Sequence, residues 1–112
     1  MIYFKHNEID GCSNCIEFEA VIDNISAGRC VLLLEEDAVV TEISYDSDKT
    51  FVIEGLIKAA FNYSANRNYY IGKCTAKGID EYLLKMNFTE TDGIFTSDIP
   101  SILIGNCKNC SK

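Results

Sequence analysis

Two C-x-x-C pairs lie near opposite ends of the chain and constrain its fold more than any other feature of the sequence. They are formed by Cys12 with Cys15 and by Cys107 with Cys110. Two cysteines separated by two residues can bind one metal ion, and a second pair completes a tetrahedral site. The 91 residues between the pairs (16–106) exceed the roughly 15 to 20 of ordinary zinc ribbons. The spacing therefore predicts a structural zinc ion, bound by all four cysteines, that joins both ends of one domain.

The other cysteines and the single histidine leave alternatives open. Each pair could instead form a separate dithiol with no shared metal. His6 precedes Cys12 and could replace one thiolate, although a lone histidine is more often a surface residue. Cys30 and Cys74 lie in β-prone segments, where cysteine behaves as a small buried hydrophobe. We therefore assign only the two pairs to the metal site.

Length and composition favour one globular domain that spans residues 1–112. Of the 112 residues, 47% are hydrophobic and 24% are charged, and one is proline. A chain of this size buries roughly two thirds of its unfolded surface in a single core. The longest apolar run (30–34) is far shorter than the roughly 18 residues of a membrane span, and the first residues do not resemble a signal peptide. We therefore expect a soluble, cytoplasmic protein that does not contact a membrane.

Acidic residues are concentrated in the first half of the chain. Residues 1–54 contain 12 Asp or Glu and 3 Lys or Arg, whereas residues 55–112 contain 5 and 7, for a net charge of −7. A surface of one charge sign attracts a partner of the opposite sign. This favours a noncatalytic protein-binding module, such as an inhibitor, an immunity-type protein or an adaptor. We expect its Glu35, Glu36 and Asp37 to contact a protein with a basic surface.

A second interpretation rests on residues 55–79, which contain no acidic side chain. Single-stranded nucleic acid binds where aromatic rings stack on bases beside basic groups. Within this segment, the candidates for such contacts are Lys58, Arg67, Tyr69, Tyr70 and Lys73. The net negative charge of the whole chain disfavours nucleic acid, and the same aromatic residues would serve equally well as core.

Alternating hydrophobicity predicts an α+β, mainly β fold. Strands are expected at 2–5, 16–23, 30–34, 39–45, 50–54, 69–75, 82–88, 94–97 and 102–104. A 3.6-residue apolar period predicts one short helix at 55–65. This order fits a small antiparallel sheet, or a partly open barrel of the oligonucleotide-binding type, with its termini clasped by the four-cysteine metal site.

A third interpretation is thiol–disulfide exchange. The β-prone residues 2–5 followed by the Cys12 pair resemble the strand and active-site pair of the thioredoxin family, and residues 99–101 resemble its proline segment. The resemblance implies a redox-active Cys12–Cys15 pair. The distances disagree with that family, because twelve residues follow Pro100 and because residues 16–23 alternate like a strand where a helix is expected.

Patterns that would indicate catalysis are sparse. His6 is the only histidine, so a Ser/His/Asp or Cys/His site has a single candidate base. A zinc ion bound by four cysteines keeps no open position for a substrate. The sequence contains no Walker, Rossmann or HExxH pattern. These observations favour a protein without enzymatic activity.

Overall fold

The alternation of apolar and polar residues in the first half of the chain produces an antiparallel meander. The computed structural model describes residues 2–104. Within that range, the strands are β1 (Ile2–Glu8), β2 (Cys15–Ile22), β3 (Ile25–Leu34), β4 (Ala38–Tyr45), β5 (Ile71–Cys74), β6 (Thr89–Thr91) and β7 (Ile94–Asp98). The helices of the same range are α1 (Val52–Ala65), α2 (Asp80–Lys85) and α3 (Ile99–Ile104).

Strands β1 to β4 pair in sequence order, each antiparallel to the next. In β2, Ile16 and Phe18 are buried on the face of the sheet that α1 covers, which we call the inner face. Glu19 points to the opposite, outer face, where its carboxylate lies 3.3 Å from the ammonium group of Lys5. This division is the one expected of an antiparallel sheet with one face packed and the other in water.

The seven strands form one sheet in the order β1-β2-β3-β4-β5-β7-β6. All neighbouring pairs of this sheet are antiparallel except β4 and β5, which are parallel. Parallel strands cannot be joined by a tight turn, and α1 provides the crossover between them. The chain therefore changes from a meander to a β-α-β unit at the end of β4.

Helix α1 holds the sheet together because its apolar side contacts four strands. It packs against β1, β2, β3 and β4 and against α3. Its buried residues recur every three or four positions and are Val52, Ile53, Leu56, Ile57, Ala60, Phe61 and Ser64. The predicted helix at 55–65 is confirmed, and it begins earlier, so that residues 52–54 are helical rather than the end of a strand.

Two other segments predicted as strands are helical. Residues 82–88 were expected to alternate, but the buried side chains there are Leu83, Met86 and Phe88, and α2 ends at Lys85. Together with buried Ile79, Leu83 and Met86 follow a spacing of four and three, which is a helical period. The alternation of apolar and polar residues in the sequence of this segment therefore does not correspond to the pattern of buried side chains.

Helix α3 replaces the last predicted strand, at 102–104. Its first turn is fixed by Asp98, whose carboxylate oxygens accept hydrogen bonds from the Ser101 backbone N–H at 2.9 Å and from its hydroxyl at 3.0 Å. These hydrogen bonds hold the pKa of Asp98 below its ordinary value. A side-chain cap of this kind begins a helix even when the segment is short.

The predicted fold class is confirmed as a mixed α+β domain with a predominant sheet. The expectation of a single helix is wrong, because the described residues contain three. The expected antiparallel sheet is found except at one pair, because β4 and β5 are parallel. The alternative of a partly open barrel of the oligonucleotide-binding type is wrong, because that barrel has five strands and the described sheet has seven. The expected clasp between the termini stays a prediction, because Cys107 and Cys110 lie outside the described residues. Within residues 2–104, no helix has the length and apolar character needed to cross a bilayer.

Gly72 provides a test of this packing. A Cβ atom at Gly72 would lie 2.8 Å from Phe61 Cε1 and 2.9 Å from Ile102 Cδ1, and both of those side chains are fully buried. We predict that Gly72→Ala lowers the free energy of unfolding by roughly 1–3 kcal/mol, because the core has no room for a methyl group. Urea denaturation measures this change.

The matched control is Ile102→Val, which removes the Cδ1 methyl group that α3 places 2.9 Å from the position of a Cβ atom added at Gly72. The Gly72→Ala/Ile102→Val double variant should lose less unfolding free energy than the two single variants lose together. The reason is that the new methyl group enters the space freed by the shorter side chain at position 102. A Gly72→Ala protein as stable as the parent would contradict the packing described here.

Candidate functional site

The parallel strands β4 and β5 separate soon after they meet. They pair at three positions, Ala38 with Gly72, Val39 with Lys73 and Val40 with Cys74. A last hydrogen bond runs from the N–H of Thr75 to the carbonyl oxygen of Val40, at 2.9 Å. Strand β4 then continues to Tyr45, while the chain after β5 leaves the sheet. Residues 41–45 consequently have no strand of the described range on that side, and we call this gap the β4/β5 opening.

A β-bulge marks the point at which the opening begins. Leu32 pairs with Val40, and the next pair is Val31 with Glu42, so that Thr41 is an extra residue on β4. A bulge locally breaks the ladder, bends the strand and redirects its backbone groups. The backbone of Thr41 and Glu42 is therefore released from regular pairing at the mouth of the opening.

Helix α1 starts at the same end of the sheet, and six residues (46–51) separate it from the end of β4. In open sheets with parallel strands, ligands bind outside the carboxyl ends of the strands, where the connections diverge. The β4/β5 opening is the place in the described structure that meets this rule. It is the candidate functional site.

Charges at the start of α1 are mostly negative. Residues 46–54 contain Asp46, Asp48 and Glu54 but only one basic residue, Lys49. The Lys49 ammonium group lies 3.9 Å from the Asp46 carboxylate and 3.5 Å from that of Asp48. Glu54 pairs with Lys58, one turn further along the helix, at 2.9 Å. The basic groups near the start of α1 are thus already neutralised by carboxylates.

A small cavity of about 60 Å³ lies between the first turn of α1 and α2. It is lined by Glu54, Tyr82, Lys85 and Met86. Lys85 thus shares this cavity with a carboxylate.

Two cysteines face the inner side of the sheet next to this region. Cys30 and Cys74 are 1% and 0% exposed, and the Cys30 Sγ lies 3.8 Å from the carbonyl oxygen of Leu56. Burial raises the pKa of the Cys30 thiol to about 12 and that of Cys74 to about 11. Their prediction as small buried hydrophobes is confirmed.

The predicted metal ligands are only partly described. Cys12 lies in the loop between β1 and β2, Cys15 is the first residue of β2, and the two form a disulfide with each other. Cys107 and Cys110 lie outside the described residues, so the shared four-cysteine site stays a prediction. Within residues 2–104, no group of three or more His, Cys, Asp or Glu side chains is arranged to hold a metal ion.

His6, the alternative ligand, packs among aromatic rings on β1. Its imidazole centroid lies 5.6 Å from the ring of Phe18 and 5.0 Å from that of Tyr63. It lines a groove of about 240 Å³ between β1 and α1, together with Asn62 and Asn66. This position is at the edge of the sheet away from the β4/β5 opening.

The acidic residues that are predicted to bind a basic partner protein form the connection between β3 and β4. Glu35 and Glu36 are exposed there, whereas Asp37 is half-buried and its carboxylate lies 3.0 Å from the Lys73 ammonium group. A basic protein partner for this connection stays a prediction.

The residues of the nucleic-acid interpretation do not form one surface. Lys58 lies on α1, which covers the inner face, whereas Lys73 lies on β5 and pairs with Asp37 on the outer face. Arg67 stacks over the Tyr63 ring at 3.6 Å from its centroid. Tyr69 packs against the core, and Tyr70 is 63% exposed. The fold therefore separates groups that are neighbours in the sequence.

The β4/β5 opening was missed by sequence reasoning, although one signal for it was available. Predicted strand 39–45, helix 55–65 and strand 69–75 occur in the order of a β-α-β unit. Such a unit requires parallel pairing and a divergence of the chain at the carboxyl ends of its strands.

The sequence matches no protein-family model and no curated protein. The structure is similar to a Desulfovibrio desulfuricans structure assigned to the GNAT acetyltransferase family, with a TM-score of 0.70 and 7% identity, covering 88% of this chain and 99% of the other. It is also similar to the PaiA N-acetyltransferase of Thermoplasma acidophilum in complex with coenzyme A, with a TM-score of 0.64 and 14% identity, covering 76% of this chain and 61% of the other. A third similar structure is that of the KacTA–DNA complex, with a TM-score of 0.66 and 9% identity, covering 91% of this chain and 96% of the other. The chain therefore has a GNAT-like fold.

These similarities overturn the interpretation as a noncatalytic, zinc-stabilised binding module. The similar structures include an N-acetyltransferase and a structure assigned to the GNAT acetyltransferase family. The zinc-binding character is likewise unsupported within residues 2–104. The redox alternative also conflicts with the fold, because Cys15 begins strand β2 rather than a helix.

The buried thiols generate a testable prediction. Iodoacetamide reacts with thiolates, so burial and a raised pKa should both protect Cys30 and Cys74 at pH 8. We expect peptide mass spectrometry to find both unmodified in the native protein and both modified in denaturant. A cysteine introduced by Ser44→Cys, at an exposed position of β4, is the reactive control. Native labelling of Cys74 as fast as that control would show that the inner face is open to solvent.

Proposed function

We propose that this chain is an N-acyltransferase, which moves an acyl group from a thioester to an amine. The observation that carries the proposal is the GNAT-like fold, with the β4/β5 opening at its centre. Similar structures include an N-acetyltransferase in complex with coenzyme A. The similarity extends over most of this chain.

The β4/β5 opening suits the arm of a pantetheine-type thioester. Such an arm is narrow, extended and contains amide groups. A peptide-like strand can add to an unpaired sheet edge by hydrogen bonding to its backbone. The edge of β4 at residues 41–45 offers backbone donors and acceptors of this kind, because pairing with β5 stops at Val40.

The residues at the start of α1, by contrast, do not fit the diphosphate of coenzyme A. Phosphate groups bind at helix N-termini through free backbone N–H groups and nearby cations. Here the segment carries three carboxylates, and its lysine is already paired with two of them. We therefore derive no step through coenzyme A itself.

The reaction requires the thioester, the amine and hydrogen-bond donors for the thioester carbonyl oxygen to be held in position. The amine nitrogen forms a bond to the acyl carbon, the carbon–sulfur bond of the thioester breaks, and the proton lost by the amine leaves with the released thiol. Hydrogen-bond donors that point at the thioester carbonyl oxygen would stabilise the negative charge that develops there. The bulge at Thr41 and Glu42 is the part of the opening where backbone groups are released from the ladder.

The charge of the chain favours a basic acceptor. A net charge of −7 attracts amines, which are cationic in water, and it repels anionic acceptors. One similar structure is a complex with DNA, so a macromolecular partner, whether protein or nucleic acid, is compatible with this fold. The amine acceptor could therefore be a small molecule or a side chain of such a partner.

Blocking the opening tests the proposed function. Thr75 is half-buried at the point where the chain leaves β5. We expect Thr75→Trp to fill the opening and to lower acyl transfer at least about tenfold, because a displaced thioester loses its alignment with the amine. Thiol release from an acyl thioester, in the presence of a panel of amines, measures the rate.

The matched control is Thr89→Trp, which places the same side chain at an exposed position of β6. This control should keep the parent rate, and both variants should keep the parent melting temperature within a few degrees. Equal activity of the Thr75→Trp protein, or no transfer by the parent protein with any thioester and amine, would rule out a reaction at this opening.

A further inference from the structure

We infer that the acyl donor of this chain is a thioester of a short, uncharged thiol of the pantetheine type, and that the nucleotide part of coenzyme A adds no binding energy. The inference rests on the proposed N-acyltransferase function and concerns the same site. It follows from three properties of the start of α1, namely its charges, its backbone hydrogen bonds and its side-chain bulk.

The charges oppose a phosphate group. Asp46 and Asp48 have side chains that are 55% and 78% exposed, and both precede Lys49 in the turn before α1. An anion near this turn meets two carboxylates for one ammonium group that is already paired. Coulomb repulsion at a few ångströms outweighs the residual attraction of such a neutralised lysine.

The backbone N–H groups that usually bind phosphate are occupied. The N–H of Val52 donates to the carbonyl oxygen of Lys49, and that of Ile53 donates to Thr50, both at 3.1 Å. The N–H of Lys49 donates to the carbonyl oxygen of Asp46, at 2.9 Å. The first two helical residues therefore have internal partners, and the strongest feature of an anion-binding helix start is missing.

Side chains also keep an anion away from the backbone. Residues 46–54 contain no glycine, so no position in this turn permits the close backbone approach that glycine allows. The first glycine of the helix, Gly55, is covered by the ring of Phe4 from β1. Val52 and Ile53 are fully buried, so their side chains serve the core.

The neighbouring lysines do not compensate for these properties. Lys58 pairs with Glu54 at 2.9 Å. Lys85 lines the cavity between α1 and α2 together with the same glutamate. A diphosphate placed between the two helices would therefore have to displace or approach a carboxylate.

The experiment compares donors that share the acyl arm and differ in the nucleotide. Acyl transfer by the 112-residue protein is measured with acetyl-CoA and with S-acetylpantetheine, at low and at physiological salt. Binding of coenzyme A and of pantetheine is measured in parallel by calorimetry. We expect kcat/KM and Kd to differ less than about tenfold between the members of each pair, because one charge-assisted hydrogen bond to phosphate alone would exceed that ratio.

Charge variants sharpen the comparison. Asp46→Asn/Asp48→Asn should raise kcat/KM for acetyl-CoA by about threefold or more at low salt and leave that for S-acetylpantetheine unchanged, since only the first donor is anionic. Glu8→Gln/Asp10→Asn makes the same change of net charge at two exposed positions, at the end of β1 and in the turn that follows it, and should change neither value. An equal gain with both donors would overturn the inference.

The outcomes separate this inference from the proposed function. Transfer from both donors with a preference above tenfold for acetyl-CoA overturns the inference and leaves the N-acyltransferase proposal standing. Absence of transfer and of binding with both donors overturns the N-acyltransferase proposal, and the inference fails with it. Transfer from both donors at similar kcat/KM supports both.

Discussion

The packing of α1 across the inner face of the meander is the contact on which the rest of the structure depends. The helix must begin next to the end of β4, because its first buried residues pack over the middle of the sheet. Gly28 on β3 permits this approach, since a Cβ atom there would lie 3.1 Å from a methyl group of Val52. Once α1 has crossed the sheet, the chain returns at the same end from which β4 started. The next strand can therefore only join β4 in a parallel direction.

The β4/β5 opening follows from this geometry rather than from a local motif. A parallel ladder of three residue pairs is short, because the chain after Cys74 turns away to place Ile79 and Leu83 in the core. The bulge at Thr41 twists the remaining part of β4 away from the position that β5 would occupy. Backbone groups without a ladder partner are costly unless water or a ligand binds them. The fold thus provides an edge that is suited to an extended ligand.

The sequence predicts the parts of the fold that short-range patterns determine. Strands 16–23 and 39–45 were found because one face of each is buried. The helices α2 and α3 were missed, because six residues carry too few apolar positions to distinguish periods of two and 3.6. The parallel pairing was missed because it depends on contacts between residues about 34 positions apart, Ala38 and Gly72 among them.

The candidate site could not be predicted from the sequence, for a related reason. Its parts are a strand edge, a bulge and a helix start, and none of these needs a particular side chain. The two C-x-x-C pairs are, in contrast, an easily recognised sequence motif. They favoured an interpretation as a metal-binding protein rather than as an enzyme. Their chemistry concerns a loop between β1 and β2 and residues outside the described range, so it neither produces nor excludes an opening on the far side of β4.

The same distinction between backbone and side chains governs specificity. Identities of 7% to 14% with similar structures leave the backbone path intact and almost all side chains different. An extended arm that binds through backbone groups tolerates such divergence, since any residue supplies the same donors and acceptors. A phosphate group does not, because it needs free helix amides, cations or glycine at fixed positions. In the proposed function, Asp46, Asp48 and Glu54 thus act on the choice of thioester, whereas the opening itself depends on the backbone of β4 and β5.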